Sequence, residues 1–140
     1  MAITQSDVVY TAVATAENGR DGRVSTDDGK LDVVVNPPKE QGGSGNGTNP
    51  EQLFAAGYSA CFQGALAVVA RQENADITGS TVTAKVGIGK NDDGFGLIVE
   101  IAASIPNVDP AAARALVEKA HQVCPYSKAT RGNITVTLSA

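Results

Sequence analysis

Clusters of basic residues are missing from this sequence. Its 11 lysines and arginines are scattered along 140 residues against 15 acidic ones, for a net charge of −4. A nucleic-acid surface needs grouped cations to replace the counterions around phosphates. The composition therefore argues against nucleic acid as a partner, and against an anionic membrane surface for the same reason. Good metal ligands are also scarce: His121, Cys61 and Cys124 are all the histidine and cysteine present. They are too few and too widely spaced for a zinc motif. Residues 1–7 have neither the basic region nor the apolar core of a signal peptide, so the protein is expected in the cytoplasm, where thiols are reduced. The Asn-X-Thr triplets at residues 46–48 and 133–135 then carry no weight. No repeat or linker divides the chain, and its length suits one domain, residues 1–140, small enough to gain stability from oligomerisation.

What is present is a long, nearly uncharged stretch from Thr48 to Arg71. Asn49 can cap free backbone N–H groups, Pro50 suits the first helical position, and Gln52 completes a capping-box spacing, so a helix is expected from Pro50. Between there and Val69 the only charge is Glu51. A helix apolar on nearly every face belongs in the middle of a molecule or at a subunit interface. Its polar flanks and its Ala, Gly and Ser content argue against a membrane span. Cys61 shares one side of this helix with Phe54, Tyr58, Ala65 and Val68.

Around that helix the pattern is mostly β. Residues 8–16 read as a strand, and the Asn-Gly-Arg-Asp-Gly run at 18–22 as a turn. Residues 23–26 and 30–35 read as two more strands, joined by the tight-turn signal Asp27-Asp28-Gly29. Prolines and glycines make residues 36–48 a loop. It lacks the Lys-Ser/Thr pair or dinucleotide pattern that phosphate binding would need. Residues 77–88 and 95–105 form a second hairpin pattern. Asp109-Pro110 then starts a helix whose Ala113, Leu116, Val117, Ala120 and Cys124 share the core face. Pro125 ends that helix or opens a short new turn, and residues 134–138 are a final strand. The order indicates an α+β fold of antiparallel sheets with helices packed on them.

A buried thiol is inert because burial favours its neutral form, whereas a nearby cation favours the thiolate. Arg20 and Arg23, flanking Asp21-Gly22, are both candidates for that cation. Glu51 suits a helix N-terminus on dipole grounds alone, and could also hold an arginine by a bidentate pair. Ten residues of straight helix put it about 15 Å from Cys61 along the axis. His121, on an exposed helix end, reads as a solvated imidazole. Without further information, Cys61 is a small buried hydrophobe.

Three blocks, in order and properly spaced, change that reading. They are Gly19-Arg20-Asp21-Gly22-Arg23, the run Asn49-Pro50-Glu51-Gln52-Leu53-Phe54-Ala55-Ala56-Gly57-Tyr58-Ser59-Ala60-Cys61-Phe62, and Val123-Cys124-Pro125-Tyr126-Ser127-Lys128-Ala129-Thr130-Arg131-Gly132-Asn133. With them the chain resembles, end to end, the organic hydroperoxide resistance (Ohr) branch of the OsmC/Ohr family. The resemblance implies an intertwined homodimer with active sites at the subunit interface. It implies that Cys61 is the peroxide-reactive cysteine, Cys124 the resolving one, Arg20 the catalytic arginine and Glu51 the catalytic glutamate. The implied activity is reduction of alkyl and fatty-acid hydroperoxides with no bound cofactor, the disulfide being re-reduced by a dihydrolipoyl group on a lipoylated protein. The apolar stripe of Phe54, Tyr58 and Val68 independently favours an alkyl substrate over hydrogen peroxide. The rival readings are an OsmC-type peroxidase of broader specificity, a redox sensor built on the same cysteine pair, and two cysteines that merely fill a core.

Overall fold

The computed structural model describes residues 2–140 and divides into two compact units, one ending at Pro50 and one running from Glu51 to Ala140. The first is an antiparallel meander of β1 (Ala14–Glu17), β2 (Gly22–Thr26) and β3 (Asp32–Val35), in the order β1-β2-β3. Asp27-Asp28-Gly29 makes the expected turn, with Gly29 at φ 72° and the Gly29 N–H donating to the Thr26 carbonyl at 3.0 Å. Arg23 pairs with Asp32 across the sheet through two hydrogen bonds of 2.7 and 2.6 Å, an exposed ion pair.

The first strand is shorter than residues 8–16. Ala14 pairs with Thr26, where β2 gives way to the turn, so among the described residues those before Ala14 have no strand to pair with. Val9 and Tyr10 are left exposed, at 100% and 77% of their surface.

The second unit holds α1 (Pro50–Gln72), the hairpin β4 (Thr81–Asn91) and β5 (Gly94–Ser104), α2 (Pro110–Val123), α3 (Pro125–Thr130) and β6 (Val136–Ser139). The helix starts at Pro50 as its start signals require. By length and composition alone α1 could cross a bilayer. Here its Tyr58, Phe62, Ala65, Leu66 and Val69 join Val99, Ile101, Ala103 and Ile105 of β5 and its end with the α2 face in one hydrophobic core. On β5, Val99, Ile101 and Ala103 are buried while Ile98, Glu100 and Ala102 face out, the alternation of a half-buried strand. The α2 face comprises Ala113, Leu116, Val117, Ala120 and Cys124, all buried, as the helical spacing predicts. Asp109 caps α2, accepting from the Ala112 N–H at 2.9 Å.

Two details of this unit depart from expectation. Residues 77–80 form a turn, with Gly79 at φ 79° and the Ser80 N–H donating to the Ile77 carbonyl, so β4 begins at Thr81. The last strand, β6, pairs with β5 in parallel, in an otherwise antiparallel α+β arrangement. After α2 and α3 the chain returns to the same end of the sheet from which β5 began its core-facing run, and so enters alongside it.

Candidate active site

Cys61 lies in α1 and Cys124 at the corner between α2 and α3. Both are free thiols, with Cys124 fully buried and Cys61 half-buried. Their sulfurs are 3.5 Å apart, the Cys124 thiol directed at the Cys61 Sγ. That separation is longer than the roughly 2.05 Å of a disulfide bond and short enough for one to form with small movements.

The setting of Cys61 pulls its ionisation two ways. Burial pushes the thiol pKa up, the backbone N–H of Tyr126 favours the thiolate, and the adjacent Cys124 raises the pKa again; the net shift is upward. Burial is the largest of these influences.

Aromatic rings form the neighbouring wall. Phe54 and Tyr58 meet edge to face at 5.9 Å, and Tyr126 packs against both, at 6.2 and 5.7 Å. Gly57 admits this arrangement: a Cβ there would lie 3.1 Å from the Tyr126 hydroxyl. Of the sequence-derived pocket residues, Phe54 is partly buried, Val68 is half-buried, and Tyr58 is wholly buried. Tyr58 is thus a core residue as well as a neighbour of the stripe. Its hydroxyl shares hydrogen bonds with Ser127 Oγ at 2.9 Å and Thr130 Oγ1 at 3.0 Å.

His121 corrects an expectation. It is not simply solvated, because its Nδ1 lies 2.8 Å from Ser127 Oγ, and burial with the nearby Arg131 pushes its pKa down. Tyr126, Ser127 and Thr130 were visible in the sequence only as part of a motif. The signal that could have singled them out is Pro125, which starts α3 and puts Tyr126 and Ser127 in its first turn.

Glu51 occupies the first turn of α1, on the same helix as Cys61 and ten residues before it. Arg20 lies in the first unit, in the turn between β1 and β2. That turn is tightly specified. Asn18 and Gly19 take left-handed conformations at φ 61° and 58°. Asn18 Nδ2 donates to the Asp21 carbonyl at 2.7 Å, and Asn36 Nδ2 to the Asp21 carboxylate at 2.7 Å. Gly22 is required by close approach, since a Cβ would sit 2.0 Å from the Glu17 carbonyl oxygen.

Comparison with known proteins is consistent throughout. Residues 43–139 match the OsmC-like protein family. The organic hydroperoxide resistance protein of Xanthomonas axonopodis pv. citri is 54% identical over 134 residues, covering 94% of each chain. OhrB of Bacillus subtilis is 46% identical, covering 93% of this chain and 96% of its own. Among solved structures, an organic hydroperoxide resistance protein of Vibrio cholerae, with captopril bound in one of its active sites, superposes with a TM-score of 0.90. It has 51% identity and covers 97% of this chain and 94% of its own. The chain therefore belongs to the OsmC-like family, within its organic hydroperoxide resistance branch.

Proposed function

We propose that this protein is a cysteine-based peroxidase that reduces organic hydroperoxides to alcohols. The observation that carries the reading is the pair of free thiols 3.5 Å apart, one half-buried and one fully buried, beside an aromatic wall. Family membership supports the same activity, because the relatives at 54% and 46% identity are organic hydroperoxide resistance proteins.

The Cys61 thiolate attacks the outer oxygen of the hydroperoxide; a sulfur–oxygen bond forms, the O–O bond breaks, and the departing alkoxide takes a proton to leave as the alcohol. Cys61 is then a sulfenic acid, one rung up the oxidation ladder. Cys124 attacks that sulfur, the S–O bond breaks, and water leaves as the disulfide forms. An external dithiol, a dihydrolipoyl group on a lipoylated protein, restores both thiols and becomes a cyclic disulfide itself. Arg20, oriented by Glu51, supplies the cation that a buried Cys61 needs and stabilises charge on the leaving oxygen. The chain works in the cytoplasm as a homodimer. Support for association comes from apolar surface that one chain leaves in water: Val9, Tyr10 and Val34 in the first unit, and the small outward residues Ala56, Ala60 and Gly64 of α1. Phe54 and Val68, both partly exposed on α1, favour an alkyl or fatty-acyl chain, and Tyr58, wholly buried, packs against Phe54 from the core.

The deciding assay is dihydrolipoamide-dependent consumption of tert-butyl hydroperoxide, a fatty-acid hydroperoxide and hydrogen peroxide by wild type, Cys61→Ser, Cys124→Ser and Arg20→Ala. Many turnovers with organic peroxides preferred, lost in Cys61→Ser, support the peroxidase. One stoichiometric oxidation with every dithiol tried would make the pair a sensor, and an unreactive Cys61 would return it to the core.

A further inference from the structure

A chain of side-chain hydrogen bonds lies one helical turn from both sulfurs. It runs from His121 Nδ1 to Ser127 Oγ at 2.8 Å, from Ser127 Oγ to the Tyr58 hydroxyl at 2.9 Å, and from there to Thr130 Oγ1 at 3.0 Å. Ser127 and Tyr58 are fully buried and Thr130 is 6% exposed, so these bonds are shielded from competing water. The members come from three elements: Tyr58 precedes Cys61 by three residues in α1, His121 precedes Cys124 by three in α2, and Ser127 follows Cys124 by three in α3. We infer that this junction positions Cys124 against Cys61 for the step that closes the disulfide, with Ser127 as its centre and Tyr58 and His121 as its two arms.

The need for such a device follows from the local structure. A helix of six residues such as α3 does not persist on its own. Its first residue is a proline, and its N-cap residue, Cys124, provides no side-chain cap. The corner at Cys124 is extended, at φ −60° and ψ 123°, between two helical segments, so the sulfur goes where α3 is tethered. Backbone bonds tie the Cys124 N–H to Ala120 and the Cys124 carbonyl to Lys128, fixing the corner to its own helices but not to α1. Side-chain hydrogen bonds between α3 and α1 run through Tyr58. A separate backbone bond, from the Tyr126 N–H to Cys61 Sγ, also joins α3 to α1 and involves none of the junction's side chains.

The inference rests on the proposed peroxidase reading, in which Cys124 attacks the Cys61 sulfenic acid, the sulfur–sulfur bond forms, the sulfur–oxygen bond breaks and water departs. Peroxide attack on Cys61 does not require Cys124 in place. Loss of the junction should therefore slow the second step selectively and leave the sulfenic acid open to a second peroxide, which makes the sulfinic acid.

The test is single-turnover oxidation of the reduced full chain by cumene hydroperoxide, with rapid quenching and intact-mass separation of thiol, trapped sulfenic acid, disulfide and sulfinic acid. Wild type is compared with Ser127→Ala, Ser127→Thr and Leu116→Ala. In Ser127→Ala the first oxidation should stay within about twofold of wild type while disulfide formation slows about tenfold, the loss of a hydrogen bond or two expressed as rate. Excess hydroperoxide should then yield more sulfinic acid. Ser127→Thr, which keeps a hydroxyl, should recover most of the rate. Leu116→Ala lowers thermal stability from the same core without removing any of the junction's hydrogen bonds, and should resolve at the wild-type rate. Disulfide formation at wild-type rate in Ser127→Ala, or equal slowing in Leu116→Ala, overturns the inference while leaving the peroxidase reading intact. Failure of wild type to form the disulfide overturns both.

Discussion

Oxidising the cysteine pair should stabilise the protein, by an amount the structure bounds. Cys61 and Cys124 are 63 residues apart in sequence. Closing a loop of that length removes chain entropy from the unfolded state, worth about 4 kcal/mol at 25 °C. Against this stands the native-state cost of drawing two sulfurs from 3.5 Å to bonding distance inside a packed core. Movement of about 1.5 Å shared between two side chains and a corner without side-chain capping is modest strain, so the net gain should be about 2 to 4 kcal/mol. With a urea dependence of about 2 kcal/mol per molar, the unfolding midpoint should rise by about 1 to 2 M. The measurement is urea unfolding of the chain reduced by dithiothreitol and of the chain oxidised by one equivalent of cumene hydroperoxide, at one protein concentration so that association is held constant. Cys124→Ser serves as the control and should show no gain after the same treatment. A disulfide-containing protein with an unchanged or lower midpoint would refute the claim that the pair is poised to close.

Three further outcomes are expected. Replacing Gly22 by Ala puts a Cβ 2.0 Å from the Glu17 carbonyl oxygen, so the turn carrying Arg20 must open; stability should fall by about 1 to 3 kcal/mol in urea unfolding. Removing the α2 cap in Asp109→Ala should cost about 1 kcal/mol by the same method, and Asp109→Asn should retain most of it. Arg20→Ala should expose the effect of burial on Cys61: its apparent pKa, from the pH dependence of iodoacetamide alkylation, should lie above that of wild type. Because the thiolate is the reactive form, the variant should then be alkylated more slowly at pH 7, and the two rates should converge as pH rises past both pKa values. Equal pKa values in the two proteins would remove Arg20 from the proposed mechanism.

Much of the fold was legible because its signals are local. Proline after a capping residue announced both α1 and α2, and period 3.6 picked out every buried residue on the α2 face, Cys124 included. What failed was pairing. Residues 8–13 have the composition of a strand, but whether a strand forms depends on a partner, and β2 ends at Thr26. The direction of β6 was equally hidden, since a four-residue strand looks the same whichever way it enters the sheet. His121 was misread because a polar residue near a helix end was weighed without Ser127, which α3 folds back to meet it.

For the site itself, the helix periodicity put Cys61 and Phe54 on one side of α1, and both pack against the core; in the proposed mechanism that setting is why an arginine is needed. The surroundings suited to an alkyl chain penalise the thiolate, and the thiol pKa is raised chiefly by burial. Under the proposed mechanism, surroundings that suit a greasy peroxide also disfavour the nucleophile's charged form. The opposing influence within the second unit is one backbone N–H, from Tyr126, and it does not reverse the shift. Under the proposed mechanism the remaining activation falls to a full positive charge, whose attraction grows in the low-dielectric setting that created the penalty. Substrate preference and dependence on Arg20 are then two consequences of one fact, the burial of Cys61. Opening the aromatic wall, as in Phe54→Ala, should relax both together: the preference for organic over hydrogen peroxide should shrink, and the activity lost on Arg20→Ala should be smaller in that background than in wild type. Preference and Arg20 dependence that change independently in the double-mutant comparison would show that burial does not link them.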